Sequence, residues 1–138
     1  MLAVQIHHTQ KDRGGQPYIL HPLRVMLRFE NELERIVGVL HDVVEDSDLT
    51  LEDMRDMGYS DEIVAALDGV TRRDGESYEE FVERSRLNPI SRRVKLADLE
   101  DNMDFRRLKG ELTGKDIQRL IRYRRAWDRL HEEPDATL

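Results

Sequence analysis

His41, Asp42, Glu45 and Asp46 fall within one six-residue stretch, His41-Asp42-Val43-Val44-Glu45-Asp46. Three carboxylates and an imidazole that close together suit a divalent cation with a water held beside it. On a helix, four-residue spacing puts His41 with Glu45, and Asp42 with Asp46, on shared faces. Adjacent His and Asp can turn two donor atoms toward one ion. A carboxylate one turn later can take a proton or orient a water. An acidic, solvated helix end is the plain alternative, and donors elsewhere in the chain argue against it. A hydrolytic metal site needs about four protein donors, with positions open to water and substrate. His21, in His-Pro after a glycine loop, is a third candidate, and Asp98 is a fourth. Asp98 interrupts the apolar stripe of its segment, and a bare buried carboxylate is costly without a partner. Taken singly, His21 reads as a capping or packed histidine and Asp98 as an ion-pair partner.

The elements that must position these residues are helices. Residues 2–9 predict a short first helix, and residues 10–17, with Gly14 and Gly15, a loop. Tyr18 to Phe29 resumes helix, with Pro22 in its first turn. Asn31 with Glu34 marks the next start. Leu33, Ile36, Val37, Leu40, Val43 and Val44 then recur at helical spacing. That helix is the most apolar in the chain, is expected at its centre, and carries His41-Asp42 near its end. Thr50 with Asp53 starts another and Gly58 stops it. Ser60 opens the next. Ser77 with Glu80 predicts a helix over 78–87 that Asn88-Pro89 breaks. Residues 90–108 read as one long helix ended by Gly110, and 115–131 as the last, with Pro134 preventing continuation. No segment alternates with period two, so the expected fold is all-α, a single helical bundle over 1–138.

Composition narrows the function. A chain of 138 residues suits one domain. It is 38% apolar and 37% charged, with the apolar residues strongly patterned, which argues against disorder. Cysteine is absent, which excludes disulfides, thiolate ligands and a cysteine nucleophile. The net charge of −7 argues against general nucleic-acid binding but not against a small phosphorylated substrate. No apolar run approaches the roughly 20 residues of a membrane span, and the first residues are no signal peptide. A cytoplasmic protein without nucleic-acid or membrane partners is therefore expected. The arginines of 119–125 read as a solvated face, and Trp127 as core or a contact in a homo-oligomer. Of His7 and His8, one reads as packed or supporting the site. Gly14-Gly15 is no phosphate loop, lacking the Walker lysine.

His21-Pro22, His41-Asp42-x-x-Glu45-Asp46 and Lys95-Leu-Ala-Asp98-x-x-x-Asn102 occur in that order, after Gly15-Gln-Pro-Tyr-Ile-Leu-His21. This combination resembles the HD superfamily of metal phosphohydrolases. Within it, the chain is similar to the hydrolase domain of the RelA/SpoT group and its small stand-alone relatives, from about Ala3 to about Asn102. The resemblance implies an all-helical fold with one metal, usually manganese, that removes pyrophosphate from the 3′ side of guanosine tetra- and pentaphosphate. It implies His21, His41, Asp42 and Asp98 as metal ligands and Glu45 and Asp46 as the acidic pair handling the attacking water. Asn102 matches a nucleotide contact, and Arg72 falls where a lysine often faces phosphate. A mixed nitrogen and oxygen set suits manganese, and zinc, iron and cobalt bind such sets too. Lys95, three residues before Asp98, reads equally as a phosphate contact or as its ion-pair partner.

The chain departs from that pattern where the base is read. Asp12 and Gly14 stand where the relatives usually have an arginine and a serine. Asp104 replaces a common arginine, and Asp101 a common histidine. Arg13 and Asn102 are the candidates to rebuild the base pocket. The competing readings are a phosphohydrolase acting on a different nucleotide and a sensor domain that binds metal and nucleotide but turns over little; the retained Glu45-Asp46 pair speaks against the sensor.

Overall fold

Short polar side chains set most helix starts. The computed structural model describes residues 2–132, so Pro134 lies outside the described residues. Asn31, Thr50, Ser60, Ser77 and Asn88 each accept a hydrogen bond from a backbone N–H of the helix they precede. Each satisfies a donor that a helix start leaves orphaned. The resulting helices are α1 Leu2–His7, α2 Leu20–Leu27, α3 Glu32–Leu40, α4 Leu51–Asp56, α5 Asp61–Gly69, α6 Tyr78–Leu87, α7 Pro89–Asn102 and α8 Gly114–Leu130. A 3₁₀ turn, Phe105–Arg107, joins α7 to α8. Among the described residues there is no strand, only an isolated bridge between Lys11 and Pro17. The fold is all-α, as the patterning predicts. No helix among the described residues is long and apolar enough to cross a membrane.

The first two helices are each shorter than expected by two or more residues, and two other boundaries differ further. α3 stops at Leu40 and does not run through the His-Asp stretch, which continues as hydrogen-bonded turns. The His41 ring takes the Gly38 carbonyl, at 2.7 Å, that the next helical N–H would otherwise use. Asp46 N–H still reaches the Asp42 carbonyl at 3.0 Å, so one helical turn survives there. The long helix expected to 108 ends at Asn102. The Asp104 side chain then caps the 3₁₀ turn through Arg106 N–H at 3.3 Å.

α7, more than α3, is the central element. It packs against α2, α3, α5, α6 and α8. Its hydropathy hides this, because Ser91 and Asp98 are among its buried residues. The larger core gathers Val25, Val37, Leu40, Val43, Met54, Leu67 and Val94. A smaller one joins Val82, Leu99, Ala126 and Leu130 beneath α8.

The α5–α7 crossing depends on a missing side chain. A Cβ on Gly69 would lie 2.2 Å from Ser91 Oγ, which donates to the Ala66 carbonyl at 2.7 Å. Gly69→Ala is therefore expected to cost about 1–3 kcal/mol, the range for overpacking a filled core. Urea unfolding of the two proteins measures it, and an unchanged midpoint would show that the crossing relaxes freely.

Candidate metal centre

Three elements bring the donors together. Tyr18 and Pro17 turn the chain into α2, with His21 N–H bonded to the Tyr18 carbonyl at 2.9 Å. This faces His21 inward from the first turn of α2. His41 and Asp42 follow the end of α3, and Asp98 comes from the middle of α7. His21 and His41 are 4% and 2% exposed, so neither is a surface histidine.

His21 Nε2 and His41 Nε2 lie 3.2 Å apart. Asp98 Oδ1 is 2.9 Å from the first and 3.2 Å from the second. Asp42 Oδ2 is 3.1 Å from His41 Nε2 and 4.0 Å from His21 Nε2. Ligand atoms of His21, His41 and Asp42 all lie within 4.8 Å of one another. The partners of the outer ring nitrogens assign the tautomers. His21 Nδ1 faces the Asp101 carboxylate at 2.6 Å, and His41 Nδ1 faces the Gly38 carbonyl. Both partners only accept, so each Nδ1 carries a proton, and in the neutral ring Nε2 is left with the lone pair that faces inward. Neutral rings and the two carboxylates would turn four acceptors on one point, a repulsion that a cation offsets and that protons on the imidazoles offset without one. This donor set fits a divalent ion held by nitrogen and oxygen.

Burial and the neighbouring charges compete over the protons of this cluster. Burial alone would push the His21 and His41 imidazoles down. For His21 the hydrogen bonds to Asp101 and Asp98 outweigh burial, and for His41 the Asp42 and Asp98 carboxylates do, so both rise. Burial would likewise raise Asp98, but Lys95 first, then the two histidines, hold it well below the usual carboxylate range. Lys95 Nζ sits 2.9 Å from Asp98 Oδ2, and Asn102 Nδ2 donates to Asp98 Oδ1 at 3.1 Å. The Tyr18 hydroxyl donates to Asp42 Oδ2.

Glu45 and Asp46 lie beside this cluster. Glu45 Oε1 accepts the Arg72 backbone N–H at 2.6 Å. Arg84 holds the loop that offers it, donating to the Asp68 and Thr71 carbonyls at 2.8 and 2.7 Å and to Glu76. Burial first, then repulsion from Asp42 and Asp46, pushes the Glu45 carboxyl up despite the Arg72 N–H. Burial and the Asp42 charge raise Asp46 as well. A carboxyl whose pKa is pushed up holds a proton more readily, which suits proton exchange with water. His7, fully buried, brings its Nδ1 within 3.6 Å of Asp46 Oδ2.

A cavity of ≈ 270 Å³ opens next to the cluster, reached through Tyr18 and Asn102, which line it. Arg13, Asp104, Arg119 and Tyr123 are also in its wall. Of the residues expected to bind substrate, Arg13 and Asn102 line this cavity, while Arg72 and Lys95 do not. Arg13 is anchored by Asp116, which also caps α8 through Thr113 N–H at 2.9 Å. The Arg72 side chain turns to the Glu76 carbonyl at 3.1 Å. Lys95 is held behind Asp98, its Nζ 5.0 Å from the Phe81 ring centre, so the arrangement present is the ion pair.

Sequence reasoning missed Tyr18, Asp101 and Asp116 as partners of these residues. Thr113-x-x-Asp116 was a visible signal, since it is a capping pair. Tyr18 and Asp101 carried none beyond their proximity to His21 and Asp98 in the chain.

No family model matches the chain. It is 37% identical over 75 residues, 51% of its length, to the guanosine-3′,5′-bis(diphosphate) 3′-pyrophosphohydrolase of Borreliella burgdorferi. It is 30% identical over 113 residues, 73% of its length, to the protein of the same name from Aquifex aeolicus. It is 34% identical over 115 residues, 74% of its length, to the GTP pyrophosphokinase of Streptomyces coelicolor. The chain spans only 11%, 16% and 14% of these relatives' own lengths. Its fold superposes with a TM-score of 0.72 at 21% identity on a metazoan ortholog of SpoT described as hydrolyzing ppGpp, covering 94% of this chain and 81% of that one.

Proposed function

For a chain that is similar in sequence to RelA/SpoT-type HD hydrolases and shares their fold, we propose a metal-dependent nucleotide pyrophosphohydrolase of the guanosine-3′,5′-bis(diphosphate) 3′-pyrophosphohydrolase type. The observation that carries this reading is the convergence of the His21, His41, Asp42 and Asp98 donor atoms, with the charge of Asp42 acting on the Glu45 carboxyl, which burial pushes up. In this reading those four residues hold one divalent ion, manganese by preference. Such an ion acidifies the attacking water and polarises a phosphoryl oxygen.

The chain's own groups do the rest. Glu45, steadied by the Arg72 N–H, takes a proton from the attacking water. Asp46, leaning on His7, receives or relays that proton. Water oxygen bonds to the inner phosphorus, the bond to the 3′ oxygen breaks, and that oxygen takes up a proton as pyrophosphate leaves. Tyr18 holds Asp42, and Lys95 and Asn102 hold Asp98, so their oxygens keep their aim. The nucleoside lies in the cavity walled by Arg13, Asn102, Arg119 and Tyr123. A sensor with little turnover is the weaker reading, because mere binding has no use for the retained proton-handling pair Glu45 and Asp46. The deciding assay is pyrophosphate release by the manganese-loaded protein from a nucleotide panel including guanosine tetraphosphate. No release from any member would overturn the proposal.

Base selection is expected to be weak. Asp12 Oδ1 accepts the Gln16 N–H at 2.9 Å and closes its own loop. A Cβ at Gly14 would lie 2.6 Å from the Arg107 carbonyl, so this loop has no room for a serine there. An arginine can stack on a purine and donate to it, whereas Asp12 can do neither. We expect kcat/KM for guanosine tetraphosphate to exceed that of the adenine analogue by less than about a hundredfold, the discrimination that well-made polar recognition exceeds. A larger preference would mean that Arg13 and its neighbours read guanine.

A further inference from the structure

The imidazole of His21 is held at both nitrogens by acids one helical turn apart on α7. Asp98 Oδ1 lies 2.9 Å from Nε2, and Asp101 Oδ2 lies 2.6 Å from Nδ1. Spacing of three residues puts both acids on one side of α7. Asp101 has further partners. Arg24, one turn beyond His21 on α2, donates to both of its oxygens at 2.7 and 3.1 Å, and Arg107 reaches Oδ2 at 3.4 Å. Asp101 is thereby turned away from the cluster centre and toward the outer edge of the ring.

We propose that Asp101 is a positioning residue: it fixes His21 as the Nδ1–H tautomer and so presents the Nε2 lone pair to the proposed metal centre. The inference rests on the metal reading above and adds a residue to it. An ionised carboxylate only accepts, and Asp101 stands closer to Nδ1 than Asp98 does to Nε2, so the neutral ring keeps its proton on Nδ1. A carboxylate behind a ligating histidine also makes the ring a stronger donor to a metal. Arg24 and Arg107 donate to the Asp101 carboxylate and so compensate its negative charge. The alternative is a plain clasp of α2 to α7, in which His21 is incidental.

The two roles separate experimentally. Mn²⁺ affinity is measured by calorimetry with the metal alone, and the His21 tautomer by ¹⁵N NMR of metal-free, histidine-labelled protein at a pH where the imidazole is neutral. Asp101→Ala is expected to weaken Mn²⁺ binding about 10–100-fold, the range for lost outer-sphere partners, and to abolish the Nδ1–H preference of His21. Asp101→Asn keeps one acceptor oxygen and serves if the alanine variant does not fold, with a loss toward the lower end of that range. Arg24→Met removes the clasp but not the acceptor. It is expected to lower Tm while leaving the tautomer intact and affinity within about threefold, the scale of a partly exposed ion pair. An unchanged tautomer and affinity in the Asp101 variants would overturn the proposal, as would an equal loss of both in Arg24→Met. Loss of the tautomer preference in Asp101→Ala, with no Mn²⁺ binding even by the unaltered protein, would support the hold on His21 and overturn the metal reading instead.

Discussion

Asp42→Ala is expected to lose divalent-metal binding and, with it, essentially all pyrophosphate release. Asp42 Oδ2 stands 3.1 Å from His41 Nε2 and receives the Tyr18 hydroxyl, so its oxygen is aimed and held. Burial would raise this carboxyl, but the charge and hydrogen bond of His41 hold it down to about 2, which keeps a full negative charge among the donors. Outer-sphere partners alone are worth about 10–100-fold in affinity. Loss of a direct, charged donor should therefore exceed about a hundredfold. Turnover should fall by about a thousandfold or more, because water activation and phosphoryl polarisation go together with the ion. Calorimetry with Mn²⁺ reads the first effect and pyrophosphate release the second. Asp42→Asn keeps the Tyr18 contact and removes the charge, so it separates loss of a donor from loss of folding. Native Mn²⁺ affinity in both variants would remove Asp42 from the ligand set.

Glu45→Gln should behave in the opposite way, keeping the metal and losing the rate. The amide can still accept the Arg72 N–H, so the loop over 70–77 keeps its anchor. It cannot take a proton from water. A lost general acid–base group costs about 10²–10⁴-fold in kcat. Mn²⁺ affinity should stay within a few-fold, since Glu45 supplies none of the four converging acceptors. A variant with full rate would pass proton handling to Asp46. A variant that lost the ion instead would place Glu45 among the ligands.

Much of this architecture is written in short-range chemistry, and that part the sequence determines by itself. Asn31, Thr50, Ser60 and Ser77 each bond a backbone N–H three residues ahead, so side chain and partner are read together. Apolar spacing over 33–40 likewise identifies a helical face packed on the core without knowledge of what covers it. The residue types at His21, His41, Asp42 and Asp98 are legible too, since few other groups bind cations or hold protons. Tertiary structure alone decides what those groups face. His21 meets Asp98 across 77 residues of chain and Asp101 across 80, and Arg13 meets Asp116 across 103. No local propensity encodes such pairings, because they follow from the packing of α2 and α8 around α7. The same holds for Lys95. Its position three residues before Asp98 allows either an ion pair or a reach toward phosphate. The Phe81 and Tyr78 rings of α6, 5.0 and 5.7 Å from its ammonium, hold it behind the carboxylate. The end of α3 is decided in the same way. Once His41 turns inward, its ring takes the Gly38 carbonyl, and the helix that sequence periodicity would continue has lost its next hydrogen bond.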